Sequence, residues 1–311
     1  MTAACSSVLA KKTGLHPNAQ AGLSMVELII AMLLGLMLLM GAMSVLSNNN
    51  ANLQLNEGLA SVQENGRFAL TRLTQTIRLA GSYNPQDPAL NLTGVDPTTE
   101  QADLAENAVV FPGVYASGLA VGSVNGASGA SDTLVVGLQA EADCRLNTHG
   151  YGTTVVAGGS VAQQFHVINE YYLEDDSLKC RGYEGRVLRG EKASSANTSA
   201  VTLVENVEDF QVLYGVAEAD GNNVFSGQPS SYMTADRAAT AVTNGGRVVA
   251  VQFALLIYSD EPISSTSGSR SVKLLDKTAF TPTERRIYRQ FQQTVMLRNP
   301  WNSAVFEGTS S

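Results

Sequence analysis

Few residues of this 311-residue chain are of a type and spacing that could do chemistry. His149 and His166 have no GxSxG, HExxH or phosphate-loop sequence around them, so neither is the base of a recognisable nucleophile or the ligand of a paired metal site. The glycine-rich stretch Gly122–Gly129 lacks the Lys-Ser/Thr ending that holds phosphate, and no CxxC occurs that could hold zinc. Glu174-Asp175-Asp176-Ser177 is acidic but lacks the loop length and glycine placement of a calcium site, so it reads as a solvated hairpin turn. Arg181, Arg186 and Arg189 fall on one predicted strand and read as solvated or paired with acids. Glu208-Asp209 reads as an exposed turn at the start of another strand. No catalytic residue, cofactor or metal is expected, which points away from an enzyme.

The remaining reactive groups are one carboxylate and two thiols. Glu27 stands at the edge of an apolar run, where a carboxylate is costly and is usually kept for a partner. Of three cysteines, Cys5 lies near the N-terminus, leaving Cys144 and Cys180. In an exported domain these two most simply form one disulfide; two separate buried thiols are the alternative.

The element that positions Glu27 is plain. From Leu28 to Leu46 there is no charge and only one hydroxyl, Ser44. Nineteen helical residues rise ~28 Å, about the thickness of a bilayer's hydrocarbon core. Lys11 and Lys12 precede this run and no Lys or Arg follows it until Arg67, so the leader stays cytoplasmic and the rest crosses the membrane. Leu55, Leu59, Val62, Gly66, Ala69, Leu73, Ile77 and Ala80 then recur at helical spacing. One helix from about Ser24 to Ala80 follows, apolar all round in its first half and amphipathic in its second, with Gly81 and Pro85 ending it.

Gly22-Leu-Ser-Met-Val-Glu27 followed by this apolar run resembles the class III signal of type IV prepilins. The resemblance implies that a prepilin peptidase cuts between Gly22 and Leu23, that Leu23 becomes the methylated N-terminus, and that Glu27 is the fifth-position glutamate. A neighbouring subunit's Leu23 amine is the natural partner for Glu27 in an apolar bundle, and the pairing would set the register between subunits. The segments Gln63–Leu70, Glu205–Val216, Arg247–Ser259 and Arg285–Asn299 are further similar to the PilW-type minor pilins of type IV pilus assembly. Residues 84–200 carry no such likeness.

Beyond the helix, residues 82–106 read as a loop. Strands are predicted at Ala108–Tyr115, Thr133–Leu138, Thr153–Val156, Gln164–Leu173, Leu178–Leu188, Val201–Val204, Phe210–Ala217, Arg247–Tyr258 and Arg286–Leu297. Asp220-Gly221-Asn222 reads as a turn, Tyr232–Ala241 as a short helix, and Ser264–Ser271 as a flexible stretch. The expected fold is α+β and pilin-like, a long N-terminal helix packed on an antiparallel sheet. The expected organisation is a leader at 1–22, the helix at 23–81 with its membrane part at about 28–46, and a β-rich domain at 82–311.

Composition agrees with an exported structural protein: charged residues are 15%, aromatics 6%, and the formal net charge is −8. That balance disfavours nucleic acid and anionic membrane surfaces as general partners. The implied partners are the prepilin peptidase, other minor pilins, the major pilin and a tip adhesin. The implied location is the inner membrane as a single-pass protein, then the pilus at the cell surface. The implied roles are filament priming, twitching motility and adhesion. A J-type minor pseudopilin of a type II secretion system and a pilus-borne adhesion or DNA-uptake module are the alternative readings.

Overall fold

The computed structural model describes Gly22 and residues 24–115, 121–193, 199–218, 227–262 and 271–298. Leader residues 1–21, Leu23, the Asp220-Gly221-Asn222 turn and residues 264–270 lie outside the described residues. The chain divides into two compact units, residues 1–52 and 53–311.

Helix α1, Met25–Leu79, runs through both. From Met25 to Asn50 its side chains are exposed. In the second unit, Val62, Gly66, Ala69, Leu73 and Ile77 are buried, the stripe that the threes and fours of the sequence predict. Gly66 is needed where it stands: the ring of Phe291 rests on its Cα, and a Cβ there would overlap the ring. Gly81 ends the helix at φ +73°, a left-handed conformation that glycine adopts without penalty, and its N–H donates to the carbonyl of Gly137 (2.8 Å).

The second unit holds two four-stranded antiparallel sheets. One contains β1 (Leu134–Ala140), β4 (Phe165–Glu174), β5 (Ser177–Glu184) and β6 (Ala200–Glu205), in the order β1-β4-β5-β6. The other contains β7 (Val207–Ala217), β8 (Ser231–Met233), β9 (Arg247–Tyr258) and β10 (Tyr288–Met296), in the order β10-β9-β7-β8. A separate ribbon pairs β2 (Thr153–Val156) with β3 (Gly159–Ala162). The two sheets and the helix share one core, in which Leu73 and Ile77 meet Tyr171 and Leu178 of the first sheet and Phe210 and Phe253 of the second.

β9 shows why a nearly continuous apolar strand was legible. Val251, Phe253, Leu255 and Ile257 face that core, while Ala254 and Leu256 face a second cluster with Leu274. A strand buried on both faces has no polar side to show. The β4–β5 hairpin closes at Asp175 and Asp176, both at positive φ (51° and 53°), the geometry of a two-residue I′ turn. Lys179 pairs there with Glu174 (2.8 Å) and Asp175 (3.0 Å).

Four expectations are corrected. The predicted loop 82–106 contains helix α2, Pro97–Glu106, whose N-cap Asp96 accepts a hydrogen bond from the Thr98 N–H and whose proline opens the first turn. Ala108–Tyr115 is no strand; Val109 makes a single bridge to Val136, because that edge of β1 is shared with Gly81 and Ser82. The strand predicted to reach Leu188 stops at Glu184, and Gly185–Leu188 turn into the short helix α3. Tyr232–Ala241 divides between β8 and helix α4, Ala235–Thr243.

Candidate functional site

Each unit holds charged groups away from open water or at the edge of an apolar surface. In the first, the N–H of Leu28 donates to the Ser24 carbonyl (3.1 Å), so Glu27 occupies the first helical turn, where the helix dipole favours a carboxylate. Gly22 and Glu27 are exposed, as is the run that follows; Leu38, for instance, is 76% exposed. α1 is long and apolar enough to cross a membrane, with none of its apolar span buried within the chain. An uninterrupted apolar surface of this kind is stable only against lipid or other apolar helices.

In the second unit Cys144 and Cys180 form a disulfide with their Cα atoms 6.4 Å apart, tying the loop after β1 to the middle of β5. Asp143 organises that loop. Its carboxylate accepts from the backbone N–H groups of Arg145 (2.8 Å) and Asn147 (3.0 Å) and from Arg145 Nε (3.1 Å), and lies 3.0 Å from His149 Nε2. Burial pushes this carboxyl's pKa up, but the hydrogen bonds from His149, Asn147 and Arg145 outweigh it and hold the pKa below the usual value.

The densest polar cluster was not legible in the sequence. Glu100, on the unforeseen helix α2, is fully buried and receives Arg186 as a bidentate fork, Nε to Oε1 at 2.7 Å and Nη2 to Oε2 at 2.9 Å. Arg189 Nη2 adds a third contact at 3.0 Å and Tyr83 Oη donates a fourth at 2.8 Å. Arg186 is completed by the Asn91 carbonyl (2.6 Å) and by Tyr151 Oη (3.2 Å), which itself donates to Glu184 (3.2 Å). Burial alone would lower the arginine's pKa, but the Glu100 hydrogen bonds and charge raise it. Tyr83 is raised by burial and by Glu100.

Arg181, Arg186 and Arg189 therefore do not share a strand. Arg181, on β5, bonds Glu170 (3.1 Å) and Tyr172 Oη (2.8 Å); Arg186 lies in α3, and Arg189 caps it. The acid partner of Arg186 stands 86 residues away in sequence. Its only local signal was Asp96-Pro97, an N-cap and first-turn pair opening the helix that carries Glu100. Beside this cluster His166 is wholly buried, with Asp103 Oδ2 3.8 Å from Nδ1 and no hydrogen bond to either ring nitrogen among the described residues. Burial, then the charges of Arg189 and Arg186, hold its pKa well below the ordinary value.

Glu208-Asp209 is corrected as well. Asp209 is buried rather than an exposed turn, bonded by Ser131 Oγ (2.8 Å) and Gln211 Nε2 (2.9 Å) and paired with Lys277 (2.6 Å). Among the described residues no cluster of three or more His, Cys, Asp or Glu is arranged to hold a metal ion. Apart from His166, the polar clusters described in this unit bond chiefly to one another, whereas the apolar span of α1 is left uncovered.

Residues 164–299, from the entry to β4 through β10, match the family model described as type IV pilus-assembly protein W, PilW. No curated protein matches. Among solved structures, a type IV-like pilin from Thermus thermophilus is 13% identical over 57% of this chain and 82% of its own, with a TM-score of 0.31. The α+β fold rests on the chain's own architecture, the long helix leading into antiparallel sheets. Over β4–β10, behind a long apolar N-terminal helix, the chain is thus similar to the PilW family of type IV pilus-assembly proteins.

Proposed function

We propose that this chain is a minor pilin that takes part in assembling a type IV pilus. It waits in the inner membrane with Gly22 on the cytoplasmic side, is cut by the prepilin peptidase between Gly22 and Leu23, and is methylated at Leu23. It then joins other minor pilins and the major pilin in a complex that primes the filament, supports twitching motility and adhesion, and carries an adhesin at its tip. The observation that carries this reading is the uncovered apolar span of α1 on a chain whose β4–β10 region matches a pilus-assembly family.

In this mechanism the helix supplies affinity and Glu27 supplies register. Coming from lipid, the exposed leucines, isoleucines and methionines gain by van der Waals packing against neighbouring helices, which does not choose an axial position. A carboxylate inside the bundle does choose, since it is costly everywhere except beside a neighbouring ammonium. Glu27→Ala is expected to leave cleavage after Gly22 largely intact and to reduce entry into filaments. Immunoblots of sheared pili and of membranes from the native host check this; normal filament entry would remove Glu27 from the mechanism.

A clean deletion tests the reading itself, with surface pili counted by electron microscopy and exoprotein secretion scored in parallel. Loss of pili with normal secretion is expected, restored by the intact gene. Loss of secretion with normal pili would move the chain to the pseudopilus of a type II secretion system.

A further inference from the structure

Among the described residues β2 and β3 pair only with each other, Thr153 opposite Ala162 and Val155 opposite Ser160. The N–H of Gln163 donates to the Gly152 carbonyl (2.9 Å), which fixes the alternation of the ladder. Gly152/Gln163, Thr154/Val161 and Val156/Gly159 are then the bonded pairs. The N–H and C=O groups of Thr153 and Val155 must point away from the ribbon along its β2 edge. Thr154 and Val156 are half-buried, whereas Thr153 and Val155 are exposed, Val155 to 85%. Its outward backbone groups and its side chain are therefore open together.

Among the described residues the outer edges of the two four-stranded sheets are covered, interrupted or charged. β1 is covered, with Gly81 donating to Gly137 (2.8 Å), Gly137 to Ala108 (3.1 Å) and Gln139 to Ser82 (3.1 Å). β8 is entered through Pro229, β10 carries the exposed Arg289, and β6 ends on Glu205 beyond an irregular register with β5. Charge, proline, irregularity and cover are the usual means of blocking unwanted strand pairing. Residues 150–165 have no Asp, Glu, Lys, Arg or Pro, in a chain of net charge −8. An open, uncharged, β-branched edge is suited to receiving a strand; on the ribbon's other edge the outward residues are the small Ser160 and Ala162, which leaves Val155 as the apolar side chain to be covered.

We propose that the β2 edge, Thr153–Val156, is a strand-addition site at which an extended, uncharged segment of another pilus subunit pairs as a third strand and covers Val155. The outward amides and carbonyls call for extended backbone. A charged segment would lose hydration there with no charged residue of 150–165 to meet it. The identity of the partner rests on the pilin reading above; the chemistry of the edge does not.

The test places a benzophenone amino acid at Thr153 of the full chain in its native host, in three backgrounds: otherwise unchanged, Val155→Pro and Val155→Thr. Proline removes the outward N–H that no ribbon bond uses, while threonine keeps it and alters the side chain. The expected result is a cross-link mapped to an uncharged segment of another pilus subunit. It should persist with Val155→Thr and fall at least tenfold with Val155→Pro. No cross-link, a cross-link only to a second copy of this chain, or equal cross-linking in the Val155→Pro chain would overturn the proposal. Thiol alkylation confirms that Cys144 and Cys180 remain joined in each chain; if proline disrupts them, Val155→Lys, which puts a charge on the edge, takes its place with the same expected loss. The pilus count of the deletion strain separates the two readings. Absent cross-links with deletion-dependent pili sink the edge alone, and normal pili in the deletion strain sink the pilin function.

Discussion

Removing the guanidinium of Arg186 should be among the most damaging single changes in the head. Its side chain is 2% exposed and that of Glu100 is fully buried, so neither can recover hydration in place. Arg186→Met deletes both arms of the fork to Glu100 and the bonds to Asn91 and Tyr151, leaving Glu100 with only Arg189 and Tyr83. Glu100→Leu does the converse, leaving two arginines without their shared counter-charge. Breaking one half of a buried pair costs about 3–5 kcal/mol. At roughly 2–4 °C per kcal/mol for a unit of this size, the melting temperature should fall by about 6–20 °C. The double change Glu100→Leu with Arg186→Met should cost less than the sum of the singles by about 0.5–3 kcal/mol, since no unpaired charge then remains between them. Arg189 keeps Glu191 at 2.7 Å. Near-UV circular dichroism of the full chain in detergent, heated at neutral pH, reads all of this. Single variants melting within about 3 °C of the parent, equivalent to about 1 kcal/mol, or a strictly additive double, would refute the buried-clamp reasoning.

Two further outcomes follow from the same head. Replacing Cys144 and Cys180 together by alanine opens a link that spans 36 residues, which should cost about 4 kcal/mol in the chain-entropy picture and lower the guanidinium midpoint measurably; an unchanged midpoint contradicts it. His166, faced by Asp103, Arg186 and Arg189, is held neutral by burial. The unfolded chain gains a proton as pH falls below about 6.5, so the histidine's contribution is intact above that pH and lost below it, by up to about 1.4 kcal/mol per pH unit. Asp132, pushed up to about 6 chiefly by burial, has the opposite sign, costing stability as pH rises from about 4 through 6. Comparing His166→Leu with the parent isolates the histidine: the variant should gain relative stability between pH 7.5 and 5.5, and parallel melting curves would refute this.

Much of the architecture was legible because its causes are local. The stripe Val62–Ala80, the stop at Gly81, the Asp175-Asp176 turn and the apolar run of β9 each depend on residues a few positions apart. The errors fell where neighbours in space overrode neighbours in sequence. Ala108–Tyr115 has the look of a strand, but its partner edge is shared with the end of α1. Asp209 looked like a solvated turn residue because nothing nearby announces Lys277, 68 positions on. The three arginines looked alike because their spacing says nothing of Glu100.

By itself, the sequence determined the apolar stem, its termination, the β-rich character of the head and a carboxylate at the entrance to the stem. These follow from periodicity, turn chemistry and the simple exclusion of charge from an apolar run. Only the tertiary structure decided that the strands divide into two sheets over one core, that Arg186 and Glu100 are a buried pair, and that the β2 edge of the ribbon is left open. Those outcomes depend on which distant segments meet and what water is then expelled, and no short window of residues carries that information.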